Sequence, residues 1–87
     1  MNNFNLIVVE GILAEDPEKT KEGSTFIIKS IRTVKDIEHA NYFTIDVENK
    51  LSETCLGYLK KGNKVLVSGI LSKESILGKE VNFLKAV

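Results

Sequence analysis

One stretch, Lys50–Gly69 (KLSETCLGYLKKGNKVLVSG), constrains the fold more than any other part of the chain. Leu51, Cys55, Leu56 and Leu59 share one stripe of a short helix over about 51–59. Lys60-Lys61-Gly62-Asn63 then stops that helix, with cations at the negative end of its dipole and a glycine free to take a left-handed conformation. Val65–Leu71 follows as a strand with Gly69 inside it, and Ile7–Leu13 carries the same pattern around Gly11. A glycine inside a strand marks a bulge or a tight bend. Two such strands, with a short helix directly before the second, predict a small closed barrel.

The rest of the chain supplies three more strands. Phe4–Leu13 is apolar on both phases, which predicts a first strand covered on both faces. Asp16-Pro17 breaks it, and Lys19–Gly23 is a polar connector. Ser24–Val34 is the second strand; its apolar residues change phase, which a bulge would explain. Lys35–Ala40 reads as a loop. Asn41–Glu48 is the third strand, with Phe43, Ile45 and Val47 facing the core and Tyr42, Thr44, Asp46 and Glu48 facing outward. In the helix, Ser52 is the expected N-cap or first-turn residue, with Glu53 near the positive end of the dipole. Asn63–Ser72 is the fourth strand, Lys73–Gly78 a turn, and Lys79–Ala86 the fifth strand. The order β-β-β-α-β-β is that of the OB-fold, an all-β five-stranded Greek-key barrel with one short helix between strands 3 and 4.

A chain of 87 residues is expected to form a single domain over 1–87. At this size roughly 60–65% of the unfolded surface is buried, so the core is small. Self-association would add to it, and the apolar first strand (Leu6, Ile7, Val8, Val9) is where a dimer or tetramer is expected to form. The single cysteine, Cys55, excludes an intramolecular disulfide and reads as a buried helix-face residue. No charged leader followed by an apolar run opens the sequence, and no apolar stretch approaches ~18 residues, so a soluble, cytoplasmic protein without membrane contact is expected. Twelve basic and twelve acidic residues cancel overall. Their distribution is uneven: Met1–Ser24 carries five acids against two lysines, and Leu51–Val87 six lysines against three acids.

Two separated segments resemble the bacterial single-stranded DNA-binding protein family. Asn5–Glu18 is similar to that family's opening: an Asn, an apolar strand, Gly-x-Leu and Asp-Pro-Glu. Lys50–Glu53, Tyr58-Leu59-Lys60-Lys61-Gly62 and Val65–Leu71 are similar to its helix, its Tyr-Leu-Lys-Lys-Gly and its Val-x-Val-x-Gly-x-Leu strand. The resemblance spans nearly the whole chain. It implies sequence-independent binding of single-stranded DNA, or of RNA, in replication, recombination or repair, and replication proteins as partners. The chain departs from the pattern at the aromatics. Tyr42 stands where the family has an aromatic at the start of strand 3, but Ile37, Glu48 and Ile76 occupy other positions where aromatics are common. Both expected binding hairpins are short, and no acidic tail follows Val87.

Binding a single strand without sequence preference needs cations along the backbone and flat side chains for the bases. Tyr42 is the candidate stacker, unless it covers a subunit contact. Lys29, Arg32, Lys35, Lys50, Lys60 and Lys61 are the candidate phosphate contacts, the last three also matching basic positions of the family. Asp46 and Glu48, on the Tyr42 face, would weaken binding and leave it strongly salt-dependent. Alternatively they pair with Lys29 or Arg32 across the strands and neutralise the surface.

No catalysis, cofactor or metal is expected. His39 is a lone loop histidine, no Cys/His spacing fits a metal, and neither a phosphate-cradling glycine loop nor a nucleophile elbow occurs. The alternative function is a protein-interaction adaptor on the same scaffold, by analogy with primosomal replication proteins, with weak or no nucleic-acid binding.

Overall fold

A computed structural model describes residues 5–84. The elements are β1 (Ile7–Leu13), β2 (Glu18–Lys19), β3 (Gly23–Val34), β4 (Ile37–Glu48), α1 (Asn49–Tyr58), β5 (Lys64–Ser72) and β6 (Ser75–Phe83). The sheet runs β1-β5-β6-β4-β3-β2, and a second pairing, of β1 with β3 at Ile12↔Lys29 and Leu13↔Ile28, closes it. The closed part contains five strands, with α1 between the third and fourth of them. This is the OB-fold. The short β2 lies outside the closure, paired only to the start of β3.

Both kinked strands have a steric reason for glycine. A Cβ on Gly11 would stand 2.6 Å from the carbonyl oxygen of Lys29, and one on Gly69 would stand 2.2 Å from that of Leu77. The backbones touch where the sheet bends, so no side chain fits there. At Gly69 the β5–β6 register also shifts, between Ser68 and Gly69. Leu13, Phe26, Ile28, Ile45, Val47, Val65, Val67 and Ile76 fill the interior, and α1 closes one end with Cys55 and the following Leu59. Burial pushes the Cys55 thiol up to about 11, because the interior disfavours its charged form. Asn5 continues the β1–β5 pairing with its side chain: its amide donates to the Leu71 carbonyl (3.2 Å) and its carbonyl accepts from the Leu71 N–H (3.4 Å).

Several boundaries differ from those the sequence suggests. The second strand does not change phase: β3 pairs with β4 in unbroken register from Gly23↔Glu48 to Val34↔Ile37. Lys35–Ala40 is not a loop. Only Lys35 and Asp36 turn, both in the left-handed region (φ 50° and 64°), and β4 begins at Ile37. Two successive positive φ values are what a two-residue type I′ hairpin requires. Lys73–Gly78 likewise shrinks to Lys73-Glu74, with β6 starting at Ser75. The helix starts at Asn49, with extended Glu48 as N-cap making no side-chain cap bond, so Ser52 is not the cap but a buried residue at the end of the first turn. The helix ends before the lysines: Leu59 is its C-cap, and Lys60 and Lys61 lie beyond its last turn. Phe4, Lys85 and Ala86, read as strand residues, lie outside the described residues.

Candidate nucleic-acid interface

β3 and β4 each run twelve residues, longer than the barrel wall they build. Their first pairs lie over the core, while Ile31–Ala40 are all exposed and form a projecting two-stranded arm. Residues opposite one another in an antiparallel pair share a face, so the register sorts every side chain. Phe26/Ile45 and Ile28/Phe43 face inward, and the same face continues along the arm as Ser30/Asn41, Arg32/His39 and Val34/Ile37. The outer face carries Thr25/Asp46, Ile27/Thr44, Lys29/Tyr42, Ile31/Ala40 and Thr33/Glu38. Lys29 and Tyr42 are therefore direct cross-strand neighbours, and Tyr42 is 62% exposed. Exposed Ile27 and Ile31 flank Lys29 on the same face. Arg32, grouped with Lys29 by sequence, faces the other way and pairs with His39.

The outer face is electrostatically divided. Its arm half holds Lys29 and Tyr42, with Lys35 in the turn at the arm's tip. Its barrel half borders a groove of about 330 Å³ lined by residues that include Lys21, Glu22, Asp46 and Glu48. Asp46 and Glu48 do share the Tyr42 face, but they do not pair with Lys29 or Arg32. Their cross-strand partners are Thr25 and Gly23, too far down the strand to reach either cation's row. Asp46 instead accepts a hydrogen bond from Ser75 Oγ at 2.6 Å, which ties the β5–β6 turn to β4. That turn brings Lys73 and Glu74 to the rim of a neighbouring groove beside Thr44 and Asp46.

The remaining predicted cations stand apart from the arm. Lys50 is in the first turn of α1 and Lys60-Lys61 follow its end, so a ten-residue helix, about 15 Å long, separates them. The Lys60–Asn63 turn is held tightly. The Lys60 N–H donates to Asn63 Oδ1 (2.7 Å), the Lys61 N–H to Asp16 Oδ1 (2.7 Å) and the Gly62 N–H to the Leu13 carbonyl (2.9 Å). Among the described residues the one ion pair is Lys64–Glu10 (3.2 Å), which leaves the ammonium groups of Lys29, Lys35, Lys50, Lys60 and Lys61 unpaired. No group of His, Cys, Asp and Glu among the described residues could hold a metal ion.

The sequence profile of the Single-strand binding protein family matches residues 4–84. The chain belongs to this family. A single-stranded DNA-binding protein of Borreliella burgdorferi is 36% identical over 84 residues, covering 86% of this chain. The chain spans 56% of the length of that relative. A crystal structure of the small single-stranded DNA-binding protein from Streptomyces coelicolor superposes with a TM-score of 0.82 at 22% identity, covering 95% of this chain and 94% of that one.

Against the family pattern, the aromatic positions fall into place one by one. Tyr42 occupies the strand-3 position in an exposed setting. Ile37 lies at the arm tip and is also exposed, whereas Glu48 borders the acidic groove and Ile76 is buried in the core. Ile76 could not have met a base even as an aromatic. Sequence reading missed Ile27, Ile31 and Ala40 as outer-face neighbours of Tyr42. A regular phase through Phe26 and Ile28, carried across without a bulge, is the signal that identifies them.

Proposed function

We propose that this chain binds single-stranded DNA without sequence preference, through the outer face of the β3–β4 hairpin. Tyr42 stacks on a base, Lys29 beside it and Lys35 at the tip meet phosphates, and Arg32 reaches the backbone from the opposite face of the arm. Lys50, Lys60 and Lys61 add cationic contacts at the helix. One observation carries this reading: the cross-strand pair Lys29↔Tyr42 puts an unpaired ammonium directly beside an exposed ring. Stacking and phosphate neutralisation are the two elements such binding needs. Family membership supports the reading over the adaptor alternative. The acid-rich groove below Tyr42 repels phosphates and keeps their path toward the arm, while the lysine–phosphate contacts make binding weaker as salt rises. We read the chain as a binding protein and not an enzyme, working in replication, recombination or repair in the cytoplasm alongside replication proteins. No helix among the described residues is long and apolar enough to cross a membrane.

A labelled dT oligomer should bind at low salt and leave as salt rises. Lys60→Ala with Lys61→Ala should lower the slope of log K against log salt by about 1.4, since each phosphate contact to a single strand contributes about 0.7. No binding at low salt and high protein concentration would refute the reading. A ribose oligomer of the same length, used as competitor, measures any preference for DNA over RNA. Assembly into a dimer or tetramer through β1 is part of the same proposal. Its residues Val8 and Ile12, and Leu6 just before it, are exposed, and covering them would remove apolar surface from water. Light scattering should give two or four times 9.7 kDa, and a mass near 9.7 kDa at micromolar concentration would contradict assembly.

A further inference from the structure

The predicted cations stand on the arm, at the start of α1 and beyond its end, and only the arm has a stacking ring among the residues singled out from sequence. Lys60 and Lys61 stand at the far end of α1, away from Tyr42. The structure supplies two aromatic rings there. Tyr58 is the last helical residue and is 70% exposed; Phe83, the last residue of β6, is 51% exposed. Phe83 pairs with Val65 and so belongs to the inward phase, but it lies at the barrel end, where that phase opens to solvent. Together with Thr54, Cys55, Leu59 and Val81 the two rings line a recess of about 150 Å³. An apolar space of about that size holds one benzene-sized ring.

We propose that this recess takes a second base of the bound single strand, with Tyr58 and Phe83 as its aromatic walls and Lys60 and Lys61 on the adjoining phosphates. The inference rests on the DNA-binding reading above and adds a second contact to it. Three features favour a nucleobase over an apolar protein side chain as occupant. Two of its lining residues carry aromatic rings, the side chains on which bases of single strands stack. No carboxylate lines the recess. Lys60 and Lys61, two and three residues beyond Tyr58, make no ion pair among the described residues, and their backbone N–H groups are held by Asn63 and Asp16. Of the acids nearby, Asp16 accepts from the Lys61 N–H and does not line the recess, Glu80 pairs with Ser68 on the opposite phase from Val81 and Phe83, and exposed Glu53 does not border the recess.

The test compares dT oligomers of two lengths, because one OB-fold occupies about 4–16 nucleotides. Tyr58→Ala combined with Phe83→Ala should weaken binding of a ~16-mer by roughly 5- to 150-fold, the range for one lost stacking contact, and leave a ~5-mer little changed. The indole introduced by Tyr58→Trp should lose fluorescence as the ~16-mer saturates the protein, a readout that does not depend on the double variant folding. An unquenched indole at saturation, or unchanged ~16-mer affinity in a folded double variant, overturns the proposal. Emission that shifts with protein concentration in the absence of DNA assigns the recess to a second copy and overturns it too. The two levels separate cleanly. If Tyr42→Ala weakens binding while the Tyr58 and Phe83 changes do not, the second contact alone falls; if the unaltered chain binds no dT oligomer, the underlying reading falls with it.

Discussion

The β3–β4 hairpin contains two regions built from the same pair of strands. Over the barrel, Phe26, Ile28, Ile45 and Val47 are almost wholly buried, and the alternation of faces is enforced by the core. Along the arm, the same strands continue in the same register, yet every residue from Ile31 to Ala40 is exposed. Ile45 and Ile37 make the contrast concrete, since they lie on one face of one strand, 0% and 61% exposed. Backbone pairing alone extends a hairpin beyond its core; burial decides only where side-chain identity matters for stability. The arm is thereby released from packing constraints, and its side chains are free to meet a ligand.

That contrast can be broken or sharpened by experiment. Ile45→Ala should cost about 2–5 kcal/mol in urea unfolding, the range for a large-to-small change in a core, while Ile37→Ala should stay within about 0.5 kcal/mol. Similar losses at both positions would mean that the arm is packed against something, such as a second copy. Tyr42→Ala should weaken dT binding by roughly 5- to 150-fold, as expected for one stacked base, with an unchanged unfolding midpoint. Tyr42→Phe should retain most of the affinity, because the ring and not the hydroxyl does the stacking.

The arm's turn offers a smaller effect of opposite sign. Lys35 and Asp36 both sit at positive φ, where non-glycine residues are strained. Replacing them with the Asn-Gly pair preferred in type I′ turns should raise stability by about 1 kcal/mol, read as a higher urea midpoint. The smallest effect belongs to the barrel end. The Cys55 thiol titrates near 11 when folded, above its unfolded value near 9, so the folded chain binds more protons between those pH values. Stability should therefore decline as pH rises from about 9 toward 11, and Cys55→Ser should remove that component of the decline. A titration of unfolding midpoints across this window checks it.

Much of the barrel was legible because its constraints are local. The alternation of Phe43, Ile45 and Val47, the helical stripe through Cys55 and Leu59, and the two glycine-centred strands each point to one element, and the element order names the fold. Tyr42 could be placed outward from its neighbour Phe43 alone. The arm was not legible for an equally physical reason. Lys35-Asp36 lacks the glycine or asparagine that advertises a tight hairpin, so six strand and turn residues read as a loop. Once the turn was misplaced, the pairing of Arg32 with His39, on the face away from Tyr42, could not be found. Simple alternation placed Asp46 and Glu48 on the Tyr42 face, but their cross-strand partners, Thr25 and Gly23 and not Lys29 or Arg32, depend on register. Tyr58 and Phe83 come together only because the end of α1 meets the end of β6, a meeting of distant segments that no local pattern encodes.

The central claim is that single-stranded DNA lies on the outer face of the β3–β4 hairpin. Amide chemical shifts of the labelled protein, followed as a dT oligomer is added at low salt, test it most directly. The largest changes should fall on Lys29–Ile31 and Ala40–Thr44 and should reverse when salt is raised. Saturable binding that leaves these segments unmoved, with changes confined to β1 or to the acidic groove around Glu22 and Glu48, would contradict it.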